Sequence, residues 1–306
     1  MPSRRPTPPR LAAAFLAAAL ATLGACAGTH FEKSPAQVAP APVVRGSESG
    51  IEVVWWVVDD REGALAAAIR PYLDRPVPAS LDQVRLWRAN GLHVFALPSS
   101  ALDGIRSALP VLGPVQRQWL GLLSEWAEVV KGPELAPGQY AGLDSGVLRL
   151  EPGRLRLLAR CWNVPDLART VESTPAALLR IELMPQLAER RRRDALAALV
   201  EPSPAVASDA GLAFPRLTLS LTADGADAIV IVGAPPSHDW ALASPPPRPQ
   251  TPHDAVPVVP FGPPPPEAPT LGELMLTGVP LDAAETTRVV LVVLPRVAER
   301  FELIRH

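Results

Sequence analysis

Lysine is almost missing from this chain: of 29 basic residues only Lys33 and Lys131 are lysine, and the rest are arginine. With the accompanying alanine and proline excess, this reads as genome composition and carries little functional weight. A basic surplus is missing too. The formal charge is −2 over 306 residues, which argues against broad nucleic-acid binding, normally marked by a basic face. No apolar run reaches the roughly 20 residues that a transmembrane helix needs; the longest, Leu11 to Leu23, falls short. Cysteine occurs twice, at 26 and 161. The motifs of common chemistries are missing as well. The five histidines, at 30, 93, 238, 253 and 306, show neither H-x-x-x-H nor H-E-x-x-H spacing. There is no Walker loop and no G-x-G-x-x-G. Gly46-Ser47-Glu48-Ser49-Gly50 puts Glu where a hydrolase elbow needs its serine.

What is present begins with an address. Arg4, Arg5 and Arg10 precede the apolar run, which closes on Leu23-Gly24-Ala25-Cys26. A charged start, a short apolar segment and a small-residue cleavage site describe a secretory signal peptide. Ending on cysteine, residues 1–27 resemble the signal and lipobox of bacterial lipoproteins. The resemblance implies that Cys26 becomes the lipid-bearing N-terminus. Ala27, rather than Asp, after that cysteine resembles lipoproteins sent on to the outer membrane, facing the periplasm. Cleavage after Ala27 is the competing reading, because Ala25-Cys26-Ala27 also fits an A-x-A site; that product would be soluble. Prolines 6, 8 and 9 stand where a twin-arginine signal has its apolar residues, so that route is discounted. Removing residues 1–25 takes away three arginines and no acids, so −2 becomes −5.

About 280 residues then remain, enough for one large domain or two small ones, and 48% hydrophobic content suits a buried core. Residues 26–50, rich in Ala, Pro, Ser and Gly, read as a lipidated cysteine and flexible tether. Ile51 to Val58 is a β-branched and aromatic run that reads as a buried strand. A helix follows from Asp59 to about Asp74. Ser80-x-x-Gln83 opens a second one, ending near Gly91. Leu92 to Leu97 is the next strand, and Ser99 or Ser100 caps a helix to about Leu109. Residues 51–112 therefore form a small mixed α/β region.

From 113 to 306 short strands dominate. Trp126 to Val130 alternates as a half-buried strand does. Glu151-Pro152-Gly153 predicts a hairpin between Val147–Leu150 and Arg154–Val164, with the alternating arginines on a wet face. Ala177 to Met184 is a strand and Leu187 to Val200 a candidate helix. Asp224-Gly225 predicts a hairpin between Leu217–Thr222 and Ala228–Val232. Strands are expected near Gly272–Leu276 and Val289–Leu294. Residues 235–269 hold fourteen prolines and read as a surface excursion. The fold class is α+β: a mixed α/β N-terminal half, then a β-rich, sandwich-like C-terminal half.

Candidate chemistry is sparse. Asp59, Asp60 and Glu62 end an apolar strand, where carboxylates can hold a divalent cation or act as bases; helix capping is the stronger reading. Arg190, Arg191, Arg192 and Arg193 form a candidate anion site, although Glu189 and Asp194 flank them as on an ordinary solvated face. His238-Asp239 and His253-Asp254 are a weak metal pairing on a poorly preorganised stretch. Cys161, with no histidine near it in sequence, reads as a buried core thiol. Trp55, Trp119, Trp126 and Trp162 sit among apolar residues and read as packing. Arg288 to Val297 resembles the last conserved strand of secretin channels over about ten residues, without the flanking family elements.

No catalytic residue, metal or cofactor is assigned. The expected role is a non-enzymatic, membrane-tethered adaptor or assembly protein of the cell envelope, held by its lipid and meeting an envelope protein partner through sheet edges and the proline-rich stretch. The alternatives are a binding module for an envelope glycan or small ligand, and a hydrolase or metal-dependent enzyme around Asp59, Asp60 and Glu62.

Overall fold

The first strand, β1 (Gly50–Asp59), is apolar on both sides because both of its faces are covered. Ile51 and Val53 point one way into a large apolar cluster, Val54, Trp56 and Val58 the other way into a second. The computed structural model describes residues 49–60, 63–171, 174–189, 211–242, 268–277 and 287–301. The signal segment and Leu23, Gly24, Ala25 and Cys26 lie outside them. So do most of the tether, Glu62, the arginines 190–193, His253 and most of the proline-rich stretch.

After β1 come a short helix α1 (Ala64–Ile69), a 3-10 turn (Arg70–Tyr72), α2 (Leu81–Ala89), β2 (Leu92–Pro98), α3 (Leu102–Ala108) and β3 (Val111–Gly121). Strands β4 (Leu123–Glu134), β5 (Tyr140–Leu143), β6 (Gly146–Arg149), β7 (Gly153–Val171), β8 (Thr174–Glu189), β9 (Leu212–Ala213), β10 (Leu219–Ala223) and β11 (Asp227–Gly233) follow. Helix α4 (Leu271–Leu276) and β12 (Thr287–Arg296) complete the described order. The protein is α+β and rich in sheet.

Two sheets carry the structure. The first has the order β2-β11-β12-β1-β3, with every pairing antiparallel. The second runs β10-β8-β7-β4, with β9 on β8. Leu291 and Val293 of the first sheet and Leu157, Cys161, Ile181 and Leu221 of the second belong to one buried cluster. Leu65, Ile69 and Ile105 of the helices close the other face of the first sheet against Trp56, Val230 and Val292.

Several expected elements stand as read: β1, α2, β2 and β12, with Trp126–Val130 inside β4 and Ala177–Met184 inside β8. Both expected hairpins are replaced. Around Glu151-Pro152-Gly153, β6 pairs with β5, while β7 enters the second sheet between β4 and β8. Asp224-Gly225 carries the chain from one sheet to the other: β10 pairs with β8, and β11 lies between β2 and β12. The burial patterns explain the parting. Residues 228–233 are buried on both faces and suit the first sheet, which is covered on both sides, whereas β10 alternates buried and half-buried as a strand with one wetter face does. Leu271–Leu276 is a helix, started by a reciprocal capping box between Thr270 and Glu273.

Smaller corrections have local causes. Helix α3 follows a 3-10 turn at Ser99–Ala101, with Ala101 at its N-cap and no serine side chain capping it. Leu187–Glu189 continue β8 instead of opening a helix. Arg156, expected on a wet face, is 6% exposed. It donates to Gln186 Oε1 at 2.7 Å and to Glu128 Oε2 at 3.2 Å, so its charge is neutralised by hydrogen-bonded partners inside the sheet face.

Helix α2 and the segment before it sit beside two strand edges. Ser80 caps α2 by accepting from Gln83 N at 3.3 Å, and Trp87, fully buried, donates its indole N–H to Leu217 O at 2.6 Å. Gln83 accepts from Ser220 N and donates to Thr218 O, and Thr222 N donates to Pro78 O. The outer edge of β10 is thereby sealed. Gly91 turns the chain from α2 into β2 with φ +78°, and a Cβ there would lie 1.8 Å from Thr270 Oγ1, so only glycine fits.

Candidate binding cleft

A cleft of about 380 Å³ opens between α2, β2 and the segment after β11. Leu81, Val84 and Arg88 reach it from α2, spaced so that they share one helix face. Val94 and Phe95 come from β2, and Trp240 from the segment after β11. Arg75 and Asp239 add charge; Arg75 is tied to Asp227 at 2.7 Å, and Asp239 Oδ1 accepts from Ala241 N at 2.9 Å. Leu81, in the cleft lining, is 72% exposed.

The Trp240 wall is held by a histidine. His93 is buried on β2; its Nδ1 accepts from Trp240 Nε1 at 2.9 Å and its Nε2 lies 3.1 Å from Pro235 O. An accepting Nδ1 leaves the proton on Nε2, so the neutral ring donates to Pro235 O and both nitrogens are used. Burial lowers its pKa to about 4, against the raising effect of that carbonyl. His238 packs edge-on against Trp240 with centroids 4.4 Å apart, and its pKa is also lowered, chiefly by burial and then by Arg288. Phe95 meets the same indole at 5.3 Å. Arg88 straps the segment to α2, donating from Nε to Pro236 O and from Nη2 to His238 O, each at 3.2 Å.

Asp59 and Asp60, singled out in the sequence, do not line this cleft. Asp60 Oδ1 accepts from Leu65 N at 3.1 Å, satisfying a first-turn donor of α1. Its Oδ2 accepts from Arg288 Nε at 2.7 Å, and Arg288 Nη1 donates to Gly233 O at 2.6 Å. Asp59 closes β1 opposite Thr287. Cys161 is buried in the core, with Sγ 3.4 Å from Gly121 O, and burial pushes its thiol up to about 11. Among the described residues no group of three or more His, Cys, Asp or Glu is placed to hold a metal ion. No described helix is long and apolar enough to cross a membrane.

The tryptophans divide. Trp56, Trp87 and Trp240 are buried, whereas Trp55, Trp119, Trp126 and Trp162 are half-buried in their strands. Arg160 lies over the rings of Trp126 and Trp162 at 4.7 and 5.5 Å and pairs with Glu182 at 2.6 Å. Sequence reasoning passed over Arg88 and Trp240. A lone tryptophan inside a proline-rich stretch was the available signal, since so large an apolar surface is costly to leave in water.

Compared with protein-family models, with curated proteins and with solved structures, the chain matches none.

Proposed function

We propose that this protein is a cell-envelope lipoprotein, anchored by a lipid on Cys26 at the outer membrane and facing the periplasm, that acts as a non-enzymatic adaptor or assembly factor. The single observation that carries the adaptor role is the apolar cleft between α2, β2 and Trp240, with the exposed Leu81 in its lining. Contiguous apolar surface of this kind marks an interaction site. The lipobox resemblance supports the address, and the commitment of Asp60 to Arg288 and Leu65 favours the structural reading of that carboxylate over a catalytic one. We read the body as sandwich-like, because the facing sides of two sheets share one apolar cluster. A second reading, a module for a small envelope ligand, is favoured by the cleft volume, which lies within the range of small-molecule sites.

In-cell crosslinking of the tagged protein, wild type against Cys26→Ser, tests the proposal. A discrete envelope complex captured by the anchored form and lost from the serine variant is the expected result. Capture of no protein by either form rejects the adaptor role.

A further inference from the structure

The two strand edges beside α2 are treated differently. On β10, the outward N–H groups of Ser220 and Thr222 and the outward C=O of Thr218 are all hydrogen-bonded, to Gln83 and Pro78. On β2, the bonds to β11 fall on the odd-numbered residues: Gly91 O accepts from Ala234 N and Ser99 N donates to Ala226 O, both at 3.0 Å, with the register unbroken between them. Leu92, Val94 and Ala96 therefore turn their N–H and C=O away from β11. Among the described residues no hydrogen bond reaches those groups of Val94 or Ala96. Ala96 is fully enclosed, whereas Val94 forms part of the cleft wall. An unmade backbone bond at a nearly buried position is costly, and an incoming backbone restores it.

The cleft wall adds two further requirements. Leu81, Val84 and Phe95 offer apolar contact beside Val94. Arg88, exposed, has two of its three nitrogens on carbonyls and no carboxylate within salt-bridge distance among the described residues, unlike Arg75 with Asp227. We propose that this cleft receives an extended peptide segment of a partner protein, added to the edge of β2 at Val94, with an apolar side chain against Leu81, Val84 and Phe95 and a carboxylate against Arg88. Main-chain bonds to a strand edge supply affinity and the side-chain pocket supplies selectivity. This rests on the adaptor reading for its biological use, and it names the chemistry of the partner.

The test uses the purified full-length protein in detergent and a bead-bound library of random hexapeptides with free C-termini. Enriched peptides are expected to carry an apolar residue next to a carboxylate. Binding should slow hydrogen exchange at the Val94 amide. It should weaken about tenfold or more on N-methylation of the paired peptide nitrogen and with Leu81→Asp, a change at an exposed position. Amidated peptides that lose binding assign the carboxylate to the C-terminus; Asp→Asn or Glu→Gln peptides that lose it assign a side chain. Indifference to both overturns the role of Arg88. No enrichment over bare beads, an unchanged Val94 amide, or peptides insensitive to Leu81→Asp overturns strand addition, and small apolar carboxylates binding without Val94 protection would replace it with a small-ligand site. Peptide binding of the expected kind with no partner captured in cells would sink the adaptor reading and leave the cleft assignment standing.

Discussion

Trp240 and His93 are joined by an indole N–H donating to an imidazole Nδ1 at 2.9 Å, across 147 positions of sequence. The bond exists only while the ring is neutral, since a protonated Nδ1 would set two donors against each other. Its folded pKa of about 4 lies below the ordinary 6.5. The unfolded chain therefore binds the extra proton first as acid is added. The resulting stabilisation is fully present above pH 6.5 and is lost as pH falls toward 4, a change of about 3 kcal/mol. Urea unfolding of wild type and His93→Gln at pH 7 and pH 4.5 checks this: the wild type should lose more stability between the two than the variant. Equal losses would show that His93 titrates normally.

Trp87 should be the most costly side chain of α2 to remove. It is fully buried and its N–H meets Leu217 O. Trp87→Ala is expected to cost about 3–5 kcal/mol in denaturant unfolding. Trp87→Phe, which keeps most of the volume and strands the carbonyl, should cost about 1–3 kcal/mol.

Asp60 and Arg288 form a buried pair, with side chains 5% and 16% exposed. Asp60→Asn leaves the guanidinium without its counter-charge and should destabilise by about 3–5 kcal/mol. Adding Arg288→Met to that variant should recover much of the loss, because the uncompensated charge is then gone. Thermal unfolding of the two variants, side by side, reads the difference.

Cys161 should be silent toward thiol reagents in the native protein. Its sulfur is buried and its thiol is held protonated to about pH 11. Labelling with a disulfide reagent at pH 8 is expected only after denaturant is added. Prompt reaction without denaturant would place the thiol at the surface.

How much was legible follows from the range of each interaction. Ser80 with Gln83, the run from Ile51 to Val58 and the strand around Val94 are local patterns, and each became its expected element. Thr270-x-x-Glu273 is equally local; Gly272–Leu276, expected as a strand, lies in the helix that this capping box starts. The Asp224-Gly225 turn looks like a hairpin locally, yet the flanking runs differ in period, and that difference sends them to separate sheets. The cleft was not legible. It depends on α2, β2 and Trp240 meeting from positions up to about 160 residues apart, and spacing carries no trace of such a meeting.

In the first sheet β1 lies between β12 and β3, and its ten residues pair one for one with β12, from Gly50 opposite Arg296 to Asp59 opposite Thr287. The earliest of the described strands to be synthesised therefore waits for the last of them. No order of elongation lets the central pair close before residue 296 has emerged, so the contact order is high and folding is late. That timing makes β12, the last of the described strands, the piece that completes the first sheet.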